Sequence, residues 1–533
     1  MTPAARPSPP WWRRAVVYEV YPRSFASSGA HPGGLGDIAG LRSRLPYLAG
    51  LGVDALWITP WYPSPMADGG YDVADHCAVD PRFGTLADAE GLVAAAHAAG
   101  LRVLVDLVPN HTSIEHPWFA EDPGLYVVRP GRGDGPPNDW ISAFGGPAWS
   151  RLPDGRWYLH TFAPEQPDLD WSNEEVRRRF DEILRFWLDR GVDGLRVDAV
   201  PAIGKDMALP DAGHAPGALF ESARWTDSPQ WDGDGVHEVV RRWRSVVDEY
   251  PGERVLVSES VVAGPARAAR YVRPGEMHTT FNFDHLRCPW DAAALRSVVD
   301  DTLAALAPTG APATWVLSNH DETRHVTRFG RAVTGAGVMG FDSGGPADLD
   351  LGLRRARAAA LLMLALPGSA YLYQGEELGL PEVTDLPDHL LQDPTFRRSG
   401  GAVRGRDGCR VPLPWSGTAP PFGFGCAQPW LPQPPSWAGL TVAAQDGDPG
   451  STLTLYRAAL ALRRARLRDE EFAWDDDADP VLSFRRGGGV RCTVNLGQVP
   501  VPVRGEVLLI SGPLQDGLLP PDTAAWSAAE GCT

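Results

Sequence analysis

The chain has 533 residues, 43% apolar and 22% charged, a composition that suits a folded protein with a large core and argues against wholesale disorder. Its 67 acidic against 49 basic residues give a net charge of −18, which repels polyanions, so nucleic acid and anionic membrane are not expected partners. The cysteines Cys77, Cys288, Cys409, Cys426, Cys492 and Cys532 form no CxxC pair, which excludes a zinc module of that type and favours free thiols in a reducing cytoplasm.

Residues 1–14, MTPAARPSPPWWRR, read as a Pro-rich lead-in without the apolar core of a secretory signal. From 15 onward, short aliphatic runs alternate with amphipathic helical patterns. The strand candidates are 15–21 (AVVYEVY), 55–60 (ALWITP), 102–108 (RVLVDLV), 194–200 (GLRVDAV), 255–260 (VLVSES), 279–284 (TTFNFD), 314–321 (TWVLSNHD) and 369–375 (SAYLYQG). Helices are expected over 37–51, 86–99, 174–190, 236–250, 291–306, 351–366 and 453–466. Eight strands joined by helical crossovers predict an α/β fold, the (β/α)8 TIM barrel. The most apolar stretch, 358–373, is broken by Pro367 and Gly368 and falls short of the ~20 residues of a membrane span, so it is expected to be a buried helix entering a buried strand.

Two segments break the rhythm. Residues 110–171, rich in Gly, Pro, Trp and Asp, predict an inserted subdomain after strand 3, and a loop of that length is usually functional. Residues 469–533 read as short alternating strands, a C-terminal all-β domain whose acidic run DDDAD (475–479) is a solvated loop. The barrel proper is then 15–109 with 172–468.

Active sites of such barrels gather at the C-terminal strand ends. There the sequence puts Asp106, Asn110 and His111 after the third strand, Arg196 and Asp198 on the fourth, Glu259 on the fifth, and His320 with Asp321 on the seventh. Any one acid alone is better read as a cap or ion-pair partner. Three converging carboxylates are what glycoside hydrolysis requires: one ionised to attack the anomeric carbon, one protonated to donate to the leaving oxygen.

The motifs DLVPNH (106–111), GLRVDAV (194–200), the strand ending in Glu259, and SNHD (318–321) resemble, in order, the four active-site motifs of the α-amylase superfamily, glycoside hydrolase family 13. QPDLDW (166–171), GYDVAD (70–75) and RDGCR (406–410) are similar to its α-glucosidase and oligo-1,6-glucosidase branch, and the stretch beginning GRDGCRVPLPW to an actinobacterial-type subgroup. The resemblance implies Asp198 as nucleophile, Glu259 as general acid/base, and Asp321 as transition-state stabiliser. It implies that Arg196 keeps Asp198 ionised, that His111 and His320 bond the innermost sugar, and that Asp72 with Arg406 closes the far end of the pocket. Tyr71, Phe144, Phe162 and Gln166 are further substrate-binding candidates, although packing inside the insert accounts equally well for Phe144.

Departures from the branch are informative. Residues 27–36, SSGAHPGGLG, hold no acidic residue, so no calcium is expected there and no metal or other cofactor is implied. His76 stands where tyrosine is more usual and is expected to alter the pocket rim. Ala199, small and next to the nucleophile, tips linkage preference towards α-1,4. The reading is a retaining, exo-acting α-glucosidase acting on short α-glucosides, with transglucosylation as an accompanying activity. The rivals are a trehalose synthase, sucrose hydrolase or transglucosidase of the same family and, more remotely, a non-catalytic amylase-like scaffold. Its partner is a small sugar; the sequence leaves oligomeric state open.

Overall fold

The computed structural model describes residues 9–31, 33–214, 228–335, 345–468, 470–476 and 479–529; most of the Pro-rich lead-in, positions 477 and 478 of the acidic run, and Cys532 lie outside the described residues. Eight parallel strands form the central sheet: β1 (Val16–Val20), β2 (Ala55–Ile58), β3 (Arg102–Leu107), β4 (Gly194–Val197), β5 (Val255–Ser258), β6 (Thr279–Thr280), β7 (Thr314–Val316) and β8 (Ser369–Tyr373). Their order is β7-β8-β1-β2-β3-β4-β5-β6, a nearly closed barrel in which β8 returns to pair with β1. Between β6 and β7 the described residues form no ladder, and the Thr314 hydroxyl donates to the Thr280 carbonyl across that seam.

The strands are apolar on both faces because both are covered. Val17, Trp57, Leu104, Val255, Val257, Val316 and Tyr371 fill the barrel interior. Their neighbours Val16, Tyr18, Leu56, Ile58, Val103, Val105 and Leu256 face the helices. The same period of two, carried one step further along each strand, turns Glu19, Asp106, Arg196, Asp198 and Glu259 inward at the C-terminal mouth.

Several outer helices start where a cap supplies acceptors for their free N–H groups: the Thr85–Asp88 capping box before Leu86–Ala98, Asn173 before Glu174–Asp189, and Asp291 before Ala292–Leu306. The helix expected over 37–51 is instead two, Ile38–Ser43 and Leu45–Leu51. Pro46 has no N–H to donate and its ring crowds the preceding turn, so the first helix ends at Ser43. Asp37 caps it and also gathers the loop expected to bind no calcium, its carboxylate accepting from the Ser28 N–H and hydroxyl at 2.9 and 2.8 Å.

The insert contains a three-stranded antiparallel sheet, with Trp157–Leu159 between Val128–Arg129 and Trp149–Arg151. A further irregular stretch, 374–451, carries only helical pieces of six residues or fewer and covers part of the barrel mouth. At the C-terminus five antiparallel strands, β9 (Phe472–Trp474), β10 (Val481–Arg486), β11 (Val490–Asn495), β12 (Val507–Ile510) and β13 (Thr523–Ala528), pair in the order β9-β10-β11-β13-β12. This sheet docks on the buried helix Leu349–Ala365: Trp526 Nε1 donates to the Leu361 carbonyl at 3.0 Å and Arg357 to that of Ser511 at 2.8 Å. Cys77, Cys288, Cys409, Cys426 and Cys492 are unpaired thiols, and among the described residues no helix is long and apolar enough to cross a membrane.

Candidate active site

Strand parity assembles a buried charge network around Arg196. Its Nη1 donates to Asp106 Oδ1 at 3.0 Å and Asp198 Oδ1 at 2.6 Å, while Nη2 lies 2.9 Å from Glu259 Oε2. Trp57 supports the guanidinium from one face, 4.8 Å from the ring centre, and fixes Asp106 through its Nε1 at 3.0 Å. Three acids around one cation leave an excess of negative charge, which opposes full ionisation of Asp106 and Asp198. Burial pushes the Asp106 carboxyl up to about 6, against the pull of Arg196. Burial and the Glu259 carboxylate raise Asp198 well above its usual range. Arg196 pulls Asp198 towards the ionised form, and burial together with the neighbouring acid pulls the other way.

Ala199 gives this pair its geometry. It sits at φ 42°, in the left-handed region that an alanine seldom visits, and this turn aims its N–H at Glu259 Oε2, 2.8 Å away. Beyond it, Val200 donates to the Glu259 carbonyl at 3.1 Å, locking the ends of β4 and β5 together.

A second cation cluster holds Asp321. Arg406 Nη1 and Arg410 Nη2 reach Asp321 Oδ1 at 2.9 and 2.7 Å. Burial would raise this carboxyl, but Arg406, Arg410 and Arg196 hold it well below the ordinary carboxylate range. Arg406 also binds Asp68 at 2.6 Å and Asp393 at 2.5 Å, and so closes one end of the pocket.

That end is where the sequence reading must be corrected. Asp72 does not meet Arg406; its carboxylate accepts from the Ser64 hydroxyl and the N–H groups of Ala67 and Asp68 at 2.9, 2.8 and 3.0 Å, tying the loop from within. Asp68, four residues earlier, is the acid that faces Arg406. Gly69 and Gly70, at φ 61° and 112°, reverse the chain between the two acids, and spacing alone does not say which one the turn aims inward.

Asp198, Glu259, Asp321, Tyr71, His111, Phe144, Phe162 and Arg406 all line one pocket, which encloses about 720 Å³ counted out to its mouth. Phe144 and Phe162 reach it from the insert, 5.9 Å apart, so Phe144 contributes to the pocket wall as well as to the insert. Four candidates do not line it: Asp72, Gln166, Arg196 and His320. Gln166 stands behind the wall, its amide nitrogen 3.1 Å from Asp68 Oδ2 and 3.0 Å from His111 Nε2. The remainder of QPDLDW is a stitch: Asp168 accepts from Asn110 at 3.0 Å and pairs with Lys205 at 3.1 Å, and Trp171 donates to the Pro109 carbonyl at 2.9 Å. His320 lies one layer deeper, stacked on Tyr71 at 5.1 Å. His76 is also corrected: its ring is buried behind β3 among Tyr62, His116, Trp118 and Phe180, with Nε2 3.0 Å from the Val108 carbonyl, and it does not reach the pocket rim.

Sequence reasoning missed the opposite wall, formed by Trp231, Val261, Phe283 and the Arg287–Glu322 pair, bonded at 3.0 Å. Trp231, Val261 and Glu322 come from irregular segments, and Phe283 and Arg287 from the helix Phe283–Arg287, too short to show a period, so only the fold brings them together. Among the described residues no group of three or more His, Cys, Asp or Glu side chains is arranged to hold a metal ion.

Comparison with known proteins adds an independent line. Residues 19–470 match the family model described as "Alpha amylase, catalytic domain". The chain is 38% identical over 520 residues to a probable alpha-glucosidase of Rhizobium meliloti (strain 1021), covering 92% of this chain and 90% of that one. It is 34% identical over 494 residues to an oligo-1,6-glucosidase of Parageobacillus thermoglucosidasius, covering 85% and 84%. Among solved structures it superposes on the alpha-glucosyl transfer enzyme XgtA with a TM-score of 0.85 at 37% identity, over 98% of this chain and 100% of that one.

Proposed function

This chain belongs to the alpha-amylase family, and from that premise we propose that its pocket is the active site of a retaining, exo-acting α-glucosidase that removes terminal glucose from short α-glucosides. It is a glycoside hydrolase; the residue roles are our reading. The observation that carries them is Arg196, which holds Asp198 and Glu259 on one guanidinium at 2.6 and 2.9 Å. Two carboxyl groups held by one guanidinium lie close to each other, which supports the retaining arrangement. Inverting enzymes space their carboxyl groups at roughly 6.5–9.5 Å to admit that water, whereas retaining ones hold them about 5–5.5 Å apart.

On this reading Glu259 is the protonated partner and Asp198 the ionised one when a glucoside is bound. The Ala199 N–H and Arg196 occupy Glu259 Oε2, leaving Oε1 to protonate the glycosidic oxygen. Asp198, its charge now stabilised by Arg196, attacks the anomeric carbon; Glu259, having lost its proton, then draws one from water, which releases glucose. Asp321, kept ionised by Arg406 and Arg410, favours the oxocarbenium-like transition state. The Asp68–Arg406 closure supports removal of single terminal units. Ala199, presenting one methyl group, supports α-1,4 preference. A cytoplasmic location belongs to the same reading and rests on the unpaired thiols.

A second reading is favoured by one observation. The wall of Trp231, Val261 and Phe283 is apolar, which disfavours water against a sugar or other alcohol in the second step, and the relative XgtA is named an alpha-glucosyl transfer enzyme. Product analysis with maltose, isomaltose, sucrose and trehalose as separate substrates tests both. Glucose released first as the α-anomer supports retention, and initial β-glucose refutes it. Trehalose formed from maltose without net glucose replaces the hydrolase reading with that of a synthase.

A further inference from the structure

We propose that the floor of the barrel, at the strand ends opposite the active site, carries a binding site for a small multivalent oxyanion, a phosphate or a phosphate ester. The site goes beyond the proposed function and does not depend on it. It is a depression of about 1130 Å³, counted out to its mouth, between the starts of β1, β2 and β3 and the last barrel helix, Thr452–Arg466. Five arginines line it: Arg14 just before β1, Arg102 at the start of β3, and Arg463, Arg464 and Arg468 at and beyond the end of that helix. In a chain of net charge −18 this gathering of cations runs against the whole.

Their counter-charges are few. Asp54 is the one acid in the lining and is already engaged: Oδ1 meets Arg464 Nη2 at 2.9 Å and Oδ2 accepts the Val16 N–H at 2.8 Å. Asp193, from outside the lining, holds Arg102 at 2.9 Å. Arg463 is buried, and its guanidinium donates to backbone carbonyls, those of Leu364, Leu366 and Gly368 at 2.5, 3.2 and 2.5 Å, with no ion pair among the described residues. Burial, with Arg486 and Arg14 beside it, pulls Arg463 down to about 9, as befits a cation short of negative neighbours. Arg14 and Arg468 make no ion pair among the described residues, and Arg468 spends only its Nε, on the Arg464 carbonyl at 3.2 Å. Set against both acids and the roughly half negative charge of the helix C-terminus, the five arginines keep an excess of about two and a half positive charges. Guanidinium forks match phosphate, whose several oxygens accept from several forks at once and whose two charges suit this excess; a lone carboxylate brings one. A long polyanion is repelled by the rest of the surface. Trp11, its ring 5.2 Å from the Arg102 guanidinium, adds an aromatic wall against which the organic part of an ester can lie.

Isothermal titration calorimetry of the intact protein with inorganic phosphate and with pyrophosphate, at ionic strength matched with chloride, tests the site. Saturable one-to-one binding is expected, tighter for pyrophosphate, with a melting temperature that rises with ligand concentration. Arg14→Gln combined with Arg468→Gln removes two cations that pair with no acid, so no buried carboxylate is stranded. This double variant is expected to raise the dissociation constant about tenfold or more, the worth of one or two charged hydrogen bonds. Losing the same two charges at Arg151 and Arg354, both exposed and outside the lining, is expected to leave binding unchanged. Arg468→Gln alone, at an exposed position, gives the same reading with a smaller loss should the double variant fail to fold. Absence of saturable binding to the wild type, or equal weakening by both pairs of substitutions, overturns the proposal.

Discussion

At position 198 the roles of charge and fold separate cleanly. Asp198→Asn preserves shape and a hydrogen bond to Arg196 but removes the attacking oxygen's charge, so turnover is expected to fall by several orders of magnitude while the melting temperature stays near wild type; undiminished glucosidase activity would strip Asp198 of its role. The two acids around Gly69 and Gly70 make a sharper pair. Asp68→Ala leaves Arg406 one partner short inside the pocket and is expected to lower kcat/KM on maltose by about 10- to 100-fold, from a charged hydrogen bond of about 1.5–3 kcal/mol. Asp72→Ala strips three donors of their acceptor and is expected to act mainly on stability. Its titration gives a further check. Burial raises Asp72 from about 3.9 in the unfolded chain to about 6 in the fold. Between those values the unfolded chain releases a proton that the folded one keeps, so the contribution of Asp72 to stability is full below pH ~4 and declines towards pH ~6. The melting temperature of wild type minus that of Asp72→Asn should therefore be more positive at pH 4.5 than at pH 7. Residues at strand ends were legible because alternation and the C-terminal-face rule fix where they point. Asp68 was not, because two acids four apart look alike until the glycine turn between them is seen.

At the scale of elements, the eight strands and most helices followed from hydrophobic periodicity, and the split before Leu45 could have been read from Pro46. Periodicity failed for 374–451, whose helical pieces are too short to show a repeat; what holds them is pairing with groups elsewhere, as when Arg406 meets Asp68 from the loop after β2 and Asp321 from the loop after β7. The insert is joined to the barrel in a similar way. Lys205, the only lysine in the chain, bonds Asn110 Oδ1 at 2.5 Å and Asp168 Oδ2 at 3.1 Å, with its side chain almost wholly buried. Lys205→Met leaves Asp168 without its counter-charge, and a loss of about 3 kcal/mol is expected from urea unfolding, with faster proteolytic cleavage inside 110–171. A variant as stable as wild type would show that the hydrogen bonds to Asp168 suffice alone.

For the whole molecule, the C-terminal sheet is bound to the barrel through helix Leu349–Ala365 and not through the mouth. Trp526, wholly buried at that junction, is expected to cost about 3–5 kcal/mol when cut to alanine, measured by chemical denaturation, with kcat at low temperature nearly unchanged because the site lies at the other end of the strands. A matching loss of kcat would mean that the sheet shapes the pocket. The blind end sealed by Arg406 has one more consequence, concerning traffic. A cul-de-sac admits and discharges through one doorway, so the leaving group stands between glucose and the exit and must depart before it. Free glucose, last to leave, is then the product that re-enters the empty enzyme and competes with fresh substrate, and the queue at that doorway limits how fast successive units can be trimmed from a longer chain.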